Sequence, residues 1–568
     1  MPVLAEIRRQ ILRNLGRPVG WLLRRKAERF TRLCDNPEAV QTQLLLKIIR
    51  TQAPTVFGLD HRFSSIRTVA DFRKHIPIAP YERLAPYIER VAQGETNALL
   101  ANGPVRLLAL TSGTTAARKL IPVTDDSLKA YREGWGMWGA RMYNDHRTRR
   151  LFGRPMVQMI GDPVEYVTPA GVPCGNMSGY TAMVQKRIVR SLYALPYQTG
   201  KTKDPFAKYY TAVRLTIGRA CSVFMAANPS TLVQFARTLD QSAISLLRDL
   251  HDGTLRTDLD LPSEVRKAVL PWLKADPARA KELTKIAEKN GTLYPKDVWP
   301  QESILIGCWT GGSMGAYLRQ LPKYFGDAPV RDLGLIASEG RFSIPFANQT
   351  SSGVLDIAAN YYEFVPEDEF DSAQPNVLGA HELTVGGVYY ILPTTQAGLY
   401  RYHISDLVRV TGFLGRTPLI EFLSKGSRFA NLTGEKLSEH HVTRAFDTVS
   451  AQLSYRIATA YSVAPVWDDR QPYYGLFVED ADAKVPTGFV SEFDSELGRN
   501  NIEYAAKRES GRLGPVRLHS LPAGFWSEWD RNALATRGGS PEQYKHPCLI
   551  GDLNFARKAL GGQPIQTP

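Results

Sequence analysis

Four short strings bring together residue types that handle phosphate, ribose, metal or acyl groups. The first is Leu110-Thr111-Ser112-Gly113-Thr114-Thr115, followed by Arg118-Lys119. A hydroxyl-rich turn with one glycine offers backbone N–H groups and hydroxyls to phosphate oxygens, and a nearby lysine adds charge. The string GxxxxGK[ST] is absent, so this is no Walker A loop, and the same residues could equally cap a helix. The second is Ser338-Glu339, after a strand predicted over residues 333–337. A carboxylate at the C-terminal end of a strand can hold a metal ion beside a nucleotide. Taken alone, it reads more simply as a surface glutamate on a turn. The third is Gly398-Leu399-Tyr400-Arg401-Tyr402-His403-Ile404-Ser405-Asp406. An ionised Asp406 has two acceptor oxygens and could take both ribose hydroxyls, or it could pair with Arg401 or Arg409.

The fourth string, Gly311-Gly312-Ser313-Met314-Gly315, satisfies G-x-S-x-G after a strand predicted over residues 304–309. A serine hydrolase would use Ser313 with Asp406 and one of His440, His441 or His546. No HGGG-type oxyanion segment precedes it, and a glycine-rich turn lining a pocket is the simpler reading. His381-Glu382 begins an HExxH string that fails at Val385, and His440-His441 fits a helix better than a metal site. Asn176, Asn348 and Asn431 start N-x-[ST] strings, which are chance matches without a secretory signal. The cysteines, at 34, 174, 221, 308 and 548, are at least 47 residues apart with no CxxC. That argues against a zinc cluster or a disulfide framework, and reduced cytosolic thiols are expected.

The elements that must hold these strings alternate between helix and strand. Helical spacing covers residues 35–100, with a helix expected to begin at Pro86. A strand over 105–110 leads into the first string, and a helix follows over 125–142. Residues 151–240 mix strands and helices, and 241–300 are helical and charged. Strands are predicted over 304–309, 330–337, 356–364, 383–392 and 407–411. Lys425-Gly426-Ser427 is a small, polar break. Beyond it come a helix over 439–452, strands over 455–463 and 474–478, and a helix near 492–506. Alternation of this kind signals a mixed α/β fold, and 568 residues suggest several folding units. A boundary is placed at 424–432.

Net charge is +14, from 70 Lys and Arg against 56 Asp and Glu. Half of it sits in residues 1–34, with nine Lys/Arg against two Glu. The remaining excess is too dilute to indicate a nucleic-acid partner. Residues 4–33 read as a basic amphipathic helix, expected to pack on the body, with peripheral membrane contact as the alternative. No apolar run is long enough to span a bilayer.

Taken together, the strings resemble the Gretchen Hagen 3 family of acyl acid–amido synthetases, bacterial type, within the adenylate-forming superfamily. The resemblance runs from about residue 40 to about residue 550. It begins with Phe72-Arg73-Lys74, Ile76-Pro77 and Pro86-Tyr87-Ile88-Glu89-Arg90. It continues through Thr111 to Thr115, Trp309-Thr310-Gly311-Gly312-Ser313-Met314 with Tyr317, and Ala337-Ser338-Glu339. Gly398 to Asp406, Thr411-Gly412-Phe413, Gly434-Glu435-Lys436 and Gln543-Tyr544-Lys545-His546-Pro547 complete it.

The resemblance implies an α/β fold. A large N-terminal domain over residues 1–425 has mixed sheets flanked by helices, and a small mobile C-terminal α/β domain over 426–568 follows a hinge near 424–432. It implies adenylation of a carboxylic acid by ATP with Mg²⁺, then acyl transfer to an amine, expected to be an amino acid; the cysteine pattern places the chain in the cytoplasm, and a monomer is expected with the oligomeric state left open. Thr111, Ser112, Gly113, Thr114 and Thr115 would hold phosphates, with Ala337, Ser338 and Phe413 also at the nucleotide. Glu339 would orient the α-phosphate or Mg²⁺, Asp406 would bind ribose, and Lys436 and Lys545 would come from the small domain. Trp138, Arg141, Met314 and Phe342 are candidates for the acyl pocket, beside Trp135, Met142 and Phe346. Ala116 and Ala117, Leu335 and Ser405 depart from the family pattern, Ser405 replacing a glycine before the aspartate. A serine hydrolase or a non-catalytic nucleotide binder remains the alternative.

Overall fold

The computed structural model describes residues 25–101, 103–111, 118–145, 151, 153–370, 372, 374–425, 429–430, 432–433, 435, 437–468, 471–537 and 544–561. Ser112, Gly113, Thr114, Thr115 and Lys436 lie outside them, as does the basic lead up to residue 24; residues 25–33 are helical.

Helix α1 (Pro37–Gln52) starts where the Asn36 side chain accepts from the Ala39 N–H, and it buries Leu45, Ile48 and Ile49. Its buried Gln41 donates to the carbonyls of Ile357 and Asn360 and accepts from the Tyr362 N–H. That pins a turn where a strand was predicted from 356, so the strand starts at Tyr361. Helix α2 (Tyr81–Ala92) starts five residues before the predicted Pro86 and carries that proline inside it. Pro86 is exposed, so the carbonyl it leaves without an N–H can be hydrated.

Strands β1 (Leu107–Thr111) and β2 (Lys119–Val123) form an antiparallel pair, extended by Pro173–Gly175 and Tyr166–Val167. Helix α3 (Asp125–Asp145) follows. A second sheet is wholly parallel: β3 (Met156–Gln158), β4 (Val223–Met225), β5 (Leu305–Gly307) and β6 (Val330–Arg331) lie in that order. Between its strands run α4 (Met177–Met183) and α5 (Pro229–Gln241).

The strand predicted over 330–337 is broken. After β6, Asp332 Oδ1 accepts from the Gly334 N–H at 2.5 Å, and Gly334 turns with φ +84°. A β-carbon there would sit 2.3 Å from the Ser343 carbonyl oxygen, so only glycine fits. The chain re-enters as a separate hairpin, β7 (Ile336–Ala337) and β8 (Gly340–Arg341). A seven-stranded sheet completes the first part of the chain. Its longest pair is β9 (Asp406–Leu414) beside β10 (Thr417–Lys425), with Asp406 opposite Lys425.

After β10 the chain builds cores of its own, from residues between Ala430 and Ala556. Helix α6 (Glu439–Gln452) has the predicted bounds, set by a reciprocal cap between Ser438 and His441. Strands β11 (Tyr461–Val466) and β12 (Tyr473–Glu479) are antiparallel. The first starts six residues late because the Asp482 carboxylate holds the N–H groups of Ala458 and Thr459 outside the sheet. The helix predicted near 492–506 is two, α7 (Phe489–Asn500) and α8 (Ile502–Glu509), broken where Asn501 leaves helical angles and caps the Tyr504 N–H. Strand β13 (Arg517–Leu521) and helix α9 (Phe525–Arg537) follow.

Candidate active site

A cavity of about 490 Å³ opens at the carboxyl ends of the parallel strands. Gln158 and Met159 at the end of β3, Ala226 and Ala227 after β4, Trp309 after β5 and Asp332 after β6 all line it. Ligands of open α/β sheets bind in this position, where successive loops diverge. The sequence strings converge there. Thr111 at the end of β1, Ala337, Ser338 and Glu339 in the β7–β8 turn, Asp406 at the start of β9 and Lys545 all line the same cavity.

Glu339 is no surface glutamate: it is 8% exposed. Burial pushes its carboxyl above the ordinary value, with Lys425 and Lys119 pulling it back down and Asp406 pushing it further up. The two-residue strands on either side make a tight hairpin that fixes where this carboxylate points. Asp406 is also buried. Neither arginine named as its partner takes it, since Arg401 pairs with the buried Glu363 and Arg409 with Glu421. Its ion pair is with Lys425, Nζ to Oδ1 at 2.8 Å. Ser405 holds φ +64°, the left-handed region, which accounts for a glycine being the easier residue there.

Lys545 reaches the cavity from the C-terminal part of the chain. Its Nζ lies 4.4 Å from the Trp309 ring centroid and 4.3 Å from that of Phe422. Cations Lys119, Lys425 and Lys545 and carboxylates Glu339 and Asp406 therefore share one chamber. His403 lines it too, and burial lowers its pKa to about 4, so it is neutral near pH 7. Among the described residues no group of three or more His, Cys, Asp or Glu could hold a metal. One or two carboxylates facing a phosphate site is nonetheless the donor set that Mg²⁺ takes together with substrate phosphates, and Glu339 fits it.

Part of the remaining wall is apolar, interrupted by polar Gln158, Asn176, Ser178 and Thr181. Tyr131 and Trp135, four residues apart on α3, face the cavity with Met177 of α4, Met225, Leu333 and Leu335. The four acyl candidates Trp138, Arg141, Met314 and Phe342 do not line it. Trp138 is 3% exposed and packed under the parallel sheet, its indole N–H donating to the Asp332 carbonyl at 2.8 Å. Arg141 lies over the Phe346 ring, while Met314 and Phe342 are fully buried. Phe413 does not line the cavity either. It stands opposite Pro418 at the far end of β9, 38% exposed, seven residues from Asp406.

For the hydrolase alternative, three of the residues nominated beside Ser313 are engaged elsewhere. Ser313 lies within the one-turn helix Gly312–Met314, with the positive φ on Gly312 rather than on the serine. Asp406 is taken by Lys425, His546 pairs with Asp530, and His441 caps α6. Lys119, named beside the hydroxyl-rich turn, lines the cavity, whereas Lys425, Asp332 and Phe422 were not singled out as site residues. Lys425 carried a signal, since it opens the polar break Lys425-Gly426-Ser427. The others carried none.

Comparison with known proteins agrees with this geometry. A jasmonoyl–L-amino acid synthetase of Nicotiana attenuata, JAR4, is 22% identical over 551 residues, covering 93% of this chain and 94% of that protein. An indole-3-acetic acid-amido synthetase of Oryza sativa subsp. indica, GH3.8, is 26% identical over 561 residues, with 91% and 89% coverage. The solved structure of the GH3.15 acyl acid amido synthetase shares the fold with a TM-score of 0.80 at 19% identity, covering 94% of this chain and 95% of that one. Residues 26–330, 353–425 and 440–554 match the GH3 family N-terminal, central and C-terminal domains in turn, and the chain belongs to the GH3 family.

Proposed function

We propose that the chain is an ATP-dependent acid–amido synthetase. A carboxylate oxygen of the acid attacks the α-phosphorus of ATP, the bond to pyrophosphate breaks, and an acyl adenylate forms. The amine nitrogen of an amino acid then attacks the acyl carbon, the bond to AMP breaks, and the nitrogen gives its proton to solvent. The observation that carries this reading is the meeting of Glu339, Asp406, Lys425 and Lys545, from four separate stretches, in one cavity at the ends of parallel strands. Two anions must approach in the first step, so preorganised cations are what the chemistry needs.

Asp406 is assigned to the ribose hydroxyls, with the Lys425 ion pair orienting its carboxylate. Glu339 is assigned to the α-phosphate and Mg²⁺, which would screen the phosphate charge when bound. Thr111 to Thr115 are assigned to phosphates and Lys436 to the nucleotide, as the family resemblance implies. The apolar wall around Tyr131, Trp135, Met177 and Met225 suits the tail of a lipophilic acid. Residues 1–425 and 426–568 are proposed as the large and small domains, hinged near 424–432, with Lys545 entering and leaving as the small one turns. The five cysteines are buried thiols, which supports a reducing, cytoplasmic setting.

ATP–pyrophosphate exchange screened across carboxylic acids tests this, followed by mass detection of amide products with each amino acid. An acid that supports exchange, and yields an amide, is the expected result. Exchange with no acid, together with fluorophosphonate labelling of Ser313, would replace the reading with the hydrolase.

A further inference from the structure

The glycine-rich string at 311–315 has no part in the chemistry above, yet its backbone lies directly against Phe422. A β-carbon on Gly311 would sit 2.9 Å from the Phe422 carbonyl oxygen, and one on Gly312 3.1 Å from its ring. Trp309, just before it, is held rigidly. Its own N–H donates to the Ala227 carbonyl at 2.9 Å and its indole N–H to the Gly334 carbonyl at 3.0 Å. The next residue, Thr310, gives both its N–H and its hydroxyl to Asp332 Oδ2, at 2.6 and 2.7 Å. The two rings so fixed flank the Lys545 ammonium at 4.4 and 4.3 Å.

The lysine backbone is gripped as well. The Asn228 side chain donates to the Tyr544 carbonyl while its oxygen accepts from the Ser230 N–H at the start of α5. The Tyr544 hydroxyl and His546 Nδ1 both meet Asp530 on α9, each at 2.9 Å.

We propose that Trp309 and Phe422 are positioning residues for adenylation: they form an aromatic seat that holds the Lys545 ammonium over the cavity. This rests on the reading that Lys545 serves the first half-reaction. Ring faces attract a cation through their quadrupole and fix its long side chain. Unlike a carboxylate seat, they bring no anion that repels incoming phosphates. The string Gly311-Gly312 is small because the loop must lie flat on Phe422 for both rings to reach the lysine.

Pyrophosphate exchange and aminolysis of a synthetic acyl adenylate, measured side by side, test the seat. Trp309→Leu and Phe422→Leu should each lower kcat for exchange by roughly tenfold, with ATP KM moving less than about threefold. Aminolysis should stay within about twofold of wild type, and Trp309→Phe should recover most of the exchange rate. Trp309→Leu added to Lys545→Ala should cost nothing further, because the seat acts only through that lysine. If Lys545→Ala keeps wild-type exchange, the reading of Lys545 falls and the seat with it. If Lys545→Ala loses exchange while both leucine variants keep it, the seat alone is overturned. Equal losses in both half-reactions without rescue by Trp309→Phe would reduce Trp309 to packing and also overturn the seat.

Discussion

Lys425 Nζ lies 2.8 Å from Asp406 Oδ1, tying the last residue of one strand to the first of its neighbour. The pair is lopsided. The Asp406 side chain is 4% exposed and that of Lys425 38%. Removing the lysine strands a buried carboxylate, whereas removing the aspartate leaves a cation that can reach water. Lys425→Met should therefore cost on the order of 1–2 kcal/mol of stability and Asp406→Ala less. Asp406→Ala should instead raise the ATP KM by roughly tenfold or more, from two lost ribose hydrogen bonds. Urea unfolding beside exchange kinetics separates these effects, and equal destabilisation by the two variants would refute the asymmetry.

Glu339→Gln should lower exchange by roughly 10²–10³-fold. Its thermal midpoint should hold or rise. Burial raises the carboxyl pKa, so ionising it costs the folded state, and a neutral amide escapes that cost. A variant that lost stability and activity together would mark Glu339 as structural.

Ser405→Gly should stabilise the protein by about 0.5–1 kcal/mol, since φ +64° strains a side-chain-bearing residue. Pyrophosphate exchange should be retained. A lower denaturation midpoint would show that the serine hydroxyl, 3.3 Å from His403 Nδ1, outweighs the strain.

Asp356 gives a pH signature. Burial raises its carboxyl to about 7 against the 3.8 of a free aspartate, with Arg341 opposing. The folded state therefore holds this proton more tightly than the unfolded state. Stability from this group is full below about pH 4 and is lost as pH rises toward and through about 7. Asp356→Asn should gain on wild type by on the order of 1–2 kcal/mol between pH 4 and pH 8. Denaturant midpoints across that range check it, and a constant difference would count against it.

Trp135→Ala should raise the KM for the acid and cost less stability than the next variant, because its ring borders the cavity while its other side packs on Tyr131 and Trp138. Trp138→Ala, 3% exposed, should instead cost about 3–5 kcal/mol. Calorimetry with acid titrations tells them apart, and the reverse pattern would move the acyl chamber one turn along α3.

What the sequence alone determined is local or ordinal. The bounds of α6 follow from a cap three residues wide, Ser438 to His441. The strings around Thr111, Glu339, Asp406 and Lys545 could be read in order because their residue types suit phosphate chemistry wherever they fold. Tertiary structure decided which residues meet. Asp332 breaks a strand because its carboxylate takes the Gly334 N–H, a choice that β-propensity over 330–337 does not register. Trp135 rather than Trp138 faces the cavity because the parallel sheet covers the latter, and helical periodicity cannot say which sheet lies above. The pairing of Lys425 with Asp406 is a strand-register fact, and the seat of Lys545 joins positions 309, 422 and 545. Caps and turns act over a few bonds, whereas packing and charge pairing act through space, so only the folded chain brings such distant residues within 4.4 Å.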